Sequence, residues 1–295
     1  MTALSLSTTS AATSAAISDV PSDSPSAAPP TPGTVAAQVL RHGVRNLAHS
    51  RWLLGYALFF LLVTDALLRF GGGGGRALLS LVNVVLFVIP LVGLVFGTTY
   101  LHDTREFTEL LLAQPVGRGA LFAGLYLGLA LPLALAFVVG VGLPFAWHGV
   151  GAAGELVTLG VLAGCGAALT GIFVALAFLI AVRSEDKVRG LGLAVGVWLA
   201  LALLYDGLVL LGVALFADHP VERPVLGLML ANPIDLARVL LLLRFDSGAL
   251  MGYTGAVFTR FFDGTLGAAL AAGALAVWLA VPVARGARAF RTKDF

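Results

Sequence analysis

The chain has little of what soluble chemistry needs. Of its 295 residues only 12% are charged, and it holds one cysteine, three methionines and five histidines. A soluble chain of this length carries about twice that share of charge. A single cysteine, Cys165, excludes an intrachain disulfide and a cysteine metal cluster. Inside a long apolar run it reads as a small packing residue. The histidines (His42, His49, His102, His148, His219) are scattered, so no ladder of soft ligands could pass a metal ion along the chain. The phosphate-loop pattern Gly-x-x-x-x-Gly-Lys-Ser/Thr does not occur, and neither do His-Glu-x-x-His or Gly-x-Ser-x-Gly. Tyr205-Asp206 lacks the second Gly-x-Gly-Asp segment that an intramembrane carboxylate dyad requires. A formal net charge of +2, with no basic stripe among aromatics, argues against a nucleic-acid partner.

What the chain does have is apolar length. Hydrophobic residues make up 59% of it. Six runs are long enough to span a bilayer, for which about 20 residues suffice: Trp52–Phe70, Leu79–Leu101, Leu121–Phe145, Leu156–Val182, Leu191–Phe216 and Leu266–Ala284. Their apolar residues run on without alternating, which predicts helices rather than a barrel. The expected fold is an all-α integral membrane protein with six transmembrane helices. Twelve of the eighteen Lys and Arg fall on one side if both termini are cytoplasmic, and four of the other six share one long connection. The expected location is the cytoplasmic (inner) membrane, with lipid as the surrounding solvent.

The segments between the runs carry the more specific signals. Residues 1–34 are rich in Ser, Thr, Ala and Pro without Lys or Arg, and predict a disordered cytoplasmic tail. From Val35 to Arg51, apolar and basic residues interleave as in a helix lying on the membrane surface. Gly71–Gly75 is expected to be a flexible spacer. In His102–Gly119, Asp103 and Glu106 resemble a capping box and Pro115 a stop. The helix between them is amphipathic: Phe107, Leu110, Leu111 and Gln114 on one face, Arg105, Glu109 and Ala113 away from it. A second inner loop, Arg183 to Arg189, is short and charged, with Glu185 and Lys187 among its residues. In the long outer connection, Asn232-Pro233 reads as an N-cap with proline at the first helical position, and Gly248–Phe262 as apolar but too short to span. Re-entrant or interfacial helices before the last span follow from that.

Within the spans, Gly124/Gly128, Gly160/Gly164 and Gly192/Gly196 predict closely packed helices. Asp65 and Arg69 are placed for an i,i+4 pair at the outer boundary. Asp206 lies ~24 Å along its helix from the inner end, at about 1.5 Å per residue. There it is either a structural anchor or part of a translocation path. Asn83 is a second candidate for that path, although its position also suits a helix-packing hydrogen bond.

Taken together, the surface helix, the six spans, the amphipathic helix after the second and the outer half-helices before the last resemble an ABC-2 type transporter permease. Arg105-Glu-Phe-Thr-Glu-Leu-Leu-Leu-Ala-Gln-Pro-Val-Gly-Arg118 is similar to the first coupling segment of the Nos-type permeases. Asn232-Pro-Ile-Asp-Leu-Ala-Arg238 and Ala249-Leu-Met-Gly-Tyr-Thr-Gly-Ala256 are similar to the same group. The likeness covers roughly residues 36–290. It implies a dimer with a second copy of the chain, resting on separate ATPase subunits that bind ATP and Mg, so that this chain has no cofactor or catalytic site of its own. It also implies a role in copper processing and nitrous oxide reductase maturation, with a periplasmic accessory protein as a further partner. In this reading Arg105, Glu106, Phe107, Glu109, Leu110, Leu111, Arg183, Glu185 and Lys187 couple to the ATPase. A drug, lipid or polysaccharide exporter is the alternative of the same class. A membrane anchor or intramembrane enzyme is the alternative outside it.

Overall fold

The computed structural model describes residues 51–112, 117–149, 153–215, 227–242 and 265–292. The expected tail, the surface helix, and most of the outer connection, including Gly248–Phe262, lie outside the described residues. Every regular element among the described residues is helical. The helices are α1 (Arg51–Phe70), α2 (Gly74–Asp103), α3 (Arg105–Leu112), α4 (Arg118–Trp147), α5 (Ala153–Arg183), α6 (Lys187–Leu199), α7 (Tyr205–Leu215), α8 (Pro233–Leu242) and α9 (Thr265–Thr292), with a π-helical turn at Ala200–Leu204 joining α6 to α7. Six rods are long and apolar enough to cross a membrane: α1, α2, α4, α5, the continuous α6–α7 and α9. Most of them run past the apolar stretches at one end or both. The last reaches Thr292 where the apolar run stops at Ala284. The helix ends alternate between two poles, labelled inner and outer after the charge-based expectation.

α5 is the most enclosed rod and organises the rest. It lies along α2 so closely that a Cβ on Gly97 would sit 2.5 Å from the Ala177 Cβ, and one on Gly93 3.1 Å from that of Phe173. α1 and α4 meet in the same way, since a Cβ on Gly140 would fall 2.7 Å from the Ala57 carbonyl oxygen. Around the inner half of α5, Phe122 of α4, Phe178 of α5 and Phe290 of α9 form a buried aromatic cluster, with ring centroids 5.7–5.8 Å apart about Phe122. Tyr126 settles its hydroxyl by donating to the Gly171 carbonyl at 3.0 Å.

Two expectations need correction here. The glycine run is not a five-residue spacer, because Gly74 and Gly75 already belong to α2. The reversal is made by Gly71–Gly73, with φ of 77° at Gly72 and 124° at Gly73, values that side-chain-bearing residues rarely adopt. Likewise Gly160, Gly164, Gly192 and Gly196 face open space within the chain. Gly124 and Gly128 are buried as expected, but the tight contacts described above fall to Gly93, Gly97 and Gly140, because spacing alone does not fix which face of a rod turns inward.

Candidate functional site

At the inner pole, α2 runs on to Asp103 and is broken by Thr104, whose hydroxyl donates to the Tyr100 carbonyl at 2.8 Å. The capping box does not form. Asp103 is still helical, and its carboxylate instead takes a 2.6 Å bond from Lys187, which ties the end of α2 to the start of α6. Asp186 caps α6, accepting from the Val188 and Arg189 N–H groups at 3.3 Å each. The α3 helix then leaves the bundle with one side covered: Thr108 is buried and its hydroxyl bonds the Thr104 carbonyl at 2.8 Å. The other face carries Phe107 and Leu110, 44% and 71% exposed. Glu106 is exposed too, and Arg105 pairs with Glu109 at 3.4 Å. Leu111 belongs to the same helix, whereas Ala113, Gln114 and Pro115 lie outside the described residues. Of the loop candidates, Lys187 comes beside α3 through Asp103, and Glu185 is exposed nearby in sequence. Arg183 is drawn elsewhere, to a cleft shared with α9.

At the outer pole, the chemistry centres on the π-helical turn. In it the Tyr205 N–H bonds the Ala200 carbonyl, five residues back, rather than that of Leu201. The Leu201 carbonyl accepts a 3.0 Å bond from Asn232 Nδ2 of the next segment. That same side chain caps α8, its Oδ1 accepting from the Ile234 N–H at 3.0 Å, while Nδ2 also donates to Asp235 Oδ2 at 3.0 Å. Arg238, one turn along α8, donates to Asp235 Oδ1 at 2.9 Å and to Asp206 Oδ2 at 2.8 Å. Tyr205 completes the clamp by donating its hydroxyl to the Leu228 carbonyl. So α8 is bolted to the one irregular point of a spanning rod, and π turns recur at functional sites.

Burial pushes the Asp235 carboxyl up to about 7; Arg238 opposes that shift and the neighbouring Asp206 charge reinforces it. Beside the clamp lies a cleft of about 580 Å³ lined by Arg76, Ser80 and Asn83 of α2 with Arg238 and Leu242 of α8. Asn83 is exposed and faces this cleft rather than a packed helix. One turn deeper on the same face, Phe87 stacks edge-on against Trp198 at 4.7 Å, and Trp198 Nε1 donates to the Phe87 carbonyl at 3.1 Å. The Asp65–Arg69 pair is present at 2.8 Å and is joined by Trp147 and His148, at 3.2 and 2.8 Å from Asp65 Oδ1.

The sequence reading overlooked Asp235 and Arg238 as the partners of Asp206. The usable signal was an i,i+3 acid–base pair directly after an N-cap, on a segment able to lie against an otherwise unexplained intramembrane carboxylate.

The comparisons with known proteins agree with this architecture. The family model described as "ABC-2 family transporter protein" matches residues 4–295. The "Probable ABC transporter permease protein NosY" of Pseudomonas aeruginosa is 31% identical over 280 residues, covering 88% of this chain and 94% of the relative. The protein of the same name from Stutzerimonas stutzeri is 30% identical over 265 residues, covering 83% and 90%. This chain therefore belongs to the ABC-2 family of transporter proteins, as a multi-pass membrane permease similar to NosY.

Proposed function

We propose that the chain converts the closure of a separate ATPase subunit into movement of its own bundle, with α3 as the wedge that enters the ATPase. The observation that carries this is the split character of α3: Thr108 is buried, whereas Leu110 is 71% exposed. An exposed apolar pair on an eight-residue helix outside the spans suits a groove in a partner. Burial of Leu110 and Phe107 supplies the grip, Arg105, Glu106 and Glu109 the charge match, and Leu111 lies on the same short helix. The Lys187–Asp103 bond passes the displacement to α6, with Arg183 and Glu185 at the loop that precedes it. ATP acts by binding one arrangement better than the other. Two copies of the chain form the membrane part of the transporter.

At the far pole, Asn83 lines the cleft and Asp206 follows the π turn, where a change in rod geometry would be felt by a cargo or a periplasmic accessory protein. The resemblance to the Nos-type permeases supports a cargo used in copper-site assembly and nitrous oxide reductase maturation. The few soft side chains favour a non-metal cargo within that pathway. Drug, lipid or polysaccharide export uses the same machinery with a different cargo.

Co-purification after gentle detergent extraction tests the partner. An ATPase should elute with the chain, and Leu110→Arg should separate it or uncouple its hydrolysis while the permease still inserts. Unchanged association and coupling in that variant would remove the proposed contact. ATP-driven copper movement by the purified complex would overturn the non-metal cargo.

A further inference from the structure

At the inner pole, Arg183 in the last turn of α5 and Arg285 and Arg288 of α9 line one cleft of about 530 Å³, with Val182, Ala289 and Thr292. The positions 285, 288, 289 and 292 follow i, i+3, i+4, i+7 spacing, so α9 turns a single face to the end of α5. Among the described residues, no ion pair joins any of these three guanidinium groups to a carboxylate. The nearby acid Asp186 is occupied capping α6. Several of the nearby helix-end carbonyls already accept from other side chains. Ser184 Oγ bonds the Ile180 carbonyl at 2.9 Å, Thr292 Oγ1 those of Arg288 and Ala289 at 3.3 and 3.2 Å, and Arg118 Nη1 that of Arg291 at 2.8 Å. Three like charges therefore share a cleft that lacks an internal counter-ion among the described residues.

The surface leading into it is apolar. Val277 and Val281, 59% and 40% exposed, precede Arg285 at four-residue steps on the same face of α9. An apolar track that ends in a cationic cleft at a helix terminus matches the shape of a lipid, acyl chain first and headgroup last. Guanidinium forks also match phosphate oxygens in geometry. We propose that this cleft binds the phosphate of an anionic phospholipid, with Arg285 and Arg288 holding it from α9, Arg183 from α5, and its acyl chain lying along Val277 and Val281. The bound lipid then bridges the ends of α5 and α9 just before the turn into α6.

The test uses the full-length chain alone, so it does not depend on the ATPase reading. The protein is equilibrated in mixed micelles with phosphatidylglycerol or phosphatidylcholine, and retained lipid is read by native mass spectrometry. Phosphatidylglycerol should be retained in preference. Each Arg→Gln change at 183, 285 or 288 should weaken retention about fivefold, the worth of one basic residue at an anionic surface. Arg189→Gln, on the inner side but outside the cleft, should change nothing. The Arg285→Lys/Arg288→Lys variant should keep part of the preference, which separates loss of charge from loss of fold. Equal retention of the two lipids, or a preference that survives substitution of all three arginines, would overturn the proposal. Displacement by excess inorganic phosphate would reassign the cleft to free phosphate and overturn its lipid part.

Discussion

Arg238 of α8 holds Asp206 of α7 at 2.8 Å, across 32 residues of chain and between a short outer helix and a spanning rod. The same Nη1 holds Asp235 at 2.9 Å. One guanidinium therefore bridges two carboxylates, of which Asp235 is the buried one. Arg238→Met should destabilise the purified protein by about 1–3 kcal/mol, because it strands the Asp235 carboxylate away from water. Asp235→Asn added to Arg238→Met should recover much of that loss, since no buried charge is then left alone. Thermal unfolding followed by tryptophan fluorescence reads both. An Arg238→Met variant that unfolds at the wild-type temperature would show that water, not arginine, solvates the pair.

The pH dependence has a definite sign. The Asp235 carboxyl sits at about 7 in the fold against an ordinary 3.8. The folded chain thus binds that proton more tightly than the unfolded one, and stability falls as pH rises from about 4 to about 7 before levelling. Asp235→Asn cannot titrate and lacks this fall. Relative to wild type, the variant should therefore gain stability between about pH 4 and about pH 7. Melting curves of both proteins at several pH values check it, and a constant difference would mean that Asp235 is already ionised at the acid end. Protonation of Asp235 also removes one of the two negative charges facing Arg238, so the clamp on the π turn weakens as pH falls through about 7.

What was legible in the sequence follows from the physics of each signal. Apolar length declares a span directly, because the bilayer thickness is a fixed ruler; hence α1, α2, α4, α5, α6–α7 and α9 were all visible. Asn232-Pro233 declared the start of α8 because capping is local chemistry within three residues. Asp103 misled for the same reason. Its local pattern fits a cap, but the long-range bond from Lys187, 84 residues away, claims the carboxylate. Asp206 was recognisable as costly in lipid, whereas its partner could not be named without knowing that α8 folds back on the π turn. That turn has no signature in Ala200–Leu204, whose residues are ordinary helix formers.

Gly97 tests how tight the α2–α5 contact is. A methyl group there would meet the Ala177 methyl at 2.5 Å, well inside van der Waals contact. Gly97→Ala should cost about 1–3 kcal/mol through overpacking. Adding Ala177→Gly vacates the opposing methyl and should restore most of the loss. Gly160→Ala, whose new methyl would meet open space within the chain, is the control and should cause no loss of monomer stability. If Gly97→Ala is equally silent, the rods are further apart than the packing requires.

The Asp103–Lys187 bond carries the last prediction. Both side chains are largely exposed, 57% and 43%, so the pair adds at most about 1 kcal/mol to stability. Its importance is positional: it fixes where α3 departs from the bundle relative to the start of α6. Lys187→Asp should leave the melting temperature within a degree or two, since about 1 kcal/mol moves a domain this large only slightly. It should lower ATP hydrolysis in the assembled transporter, because α3 no longer moves with α6. Asp103→Lys combined with Lys187→Asp re-forms the pair with reversed polarity and should restore the rate. Restoration in the double variant, with both single variants impaired, identifies the bond as a strut. Equal impairment in all three would mean that each side chain acts separately, and the route from α3 to α6 would have to run through the helix backbone at Thr104 instead.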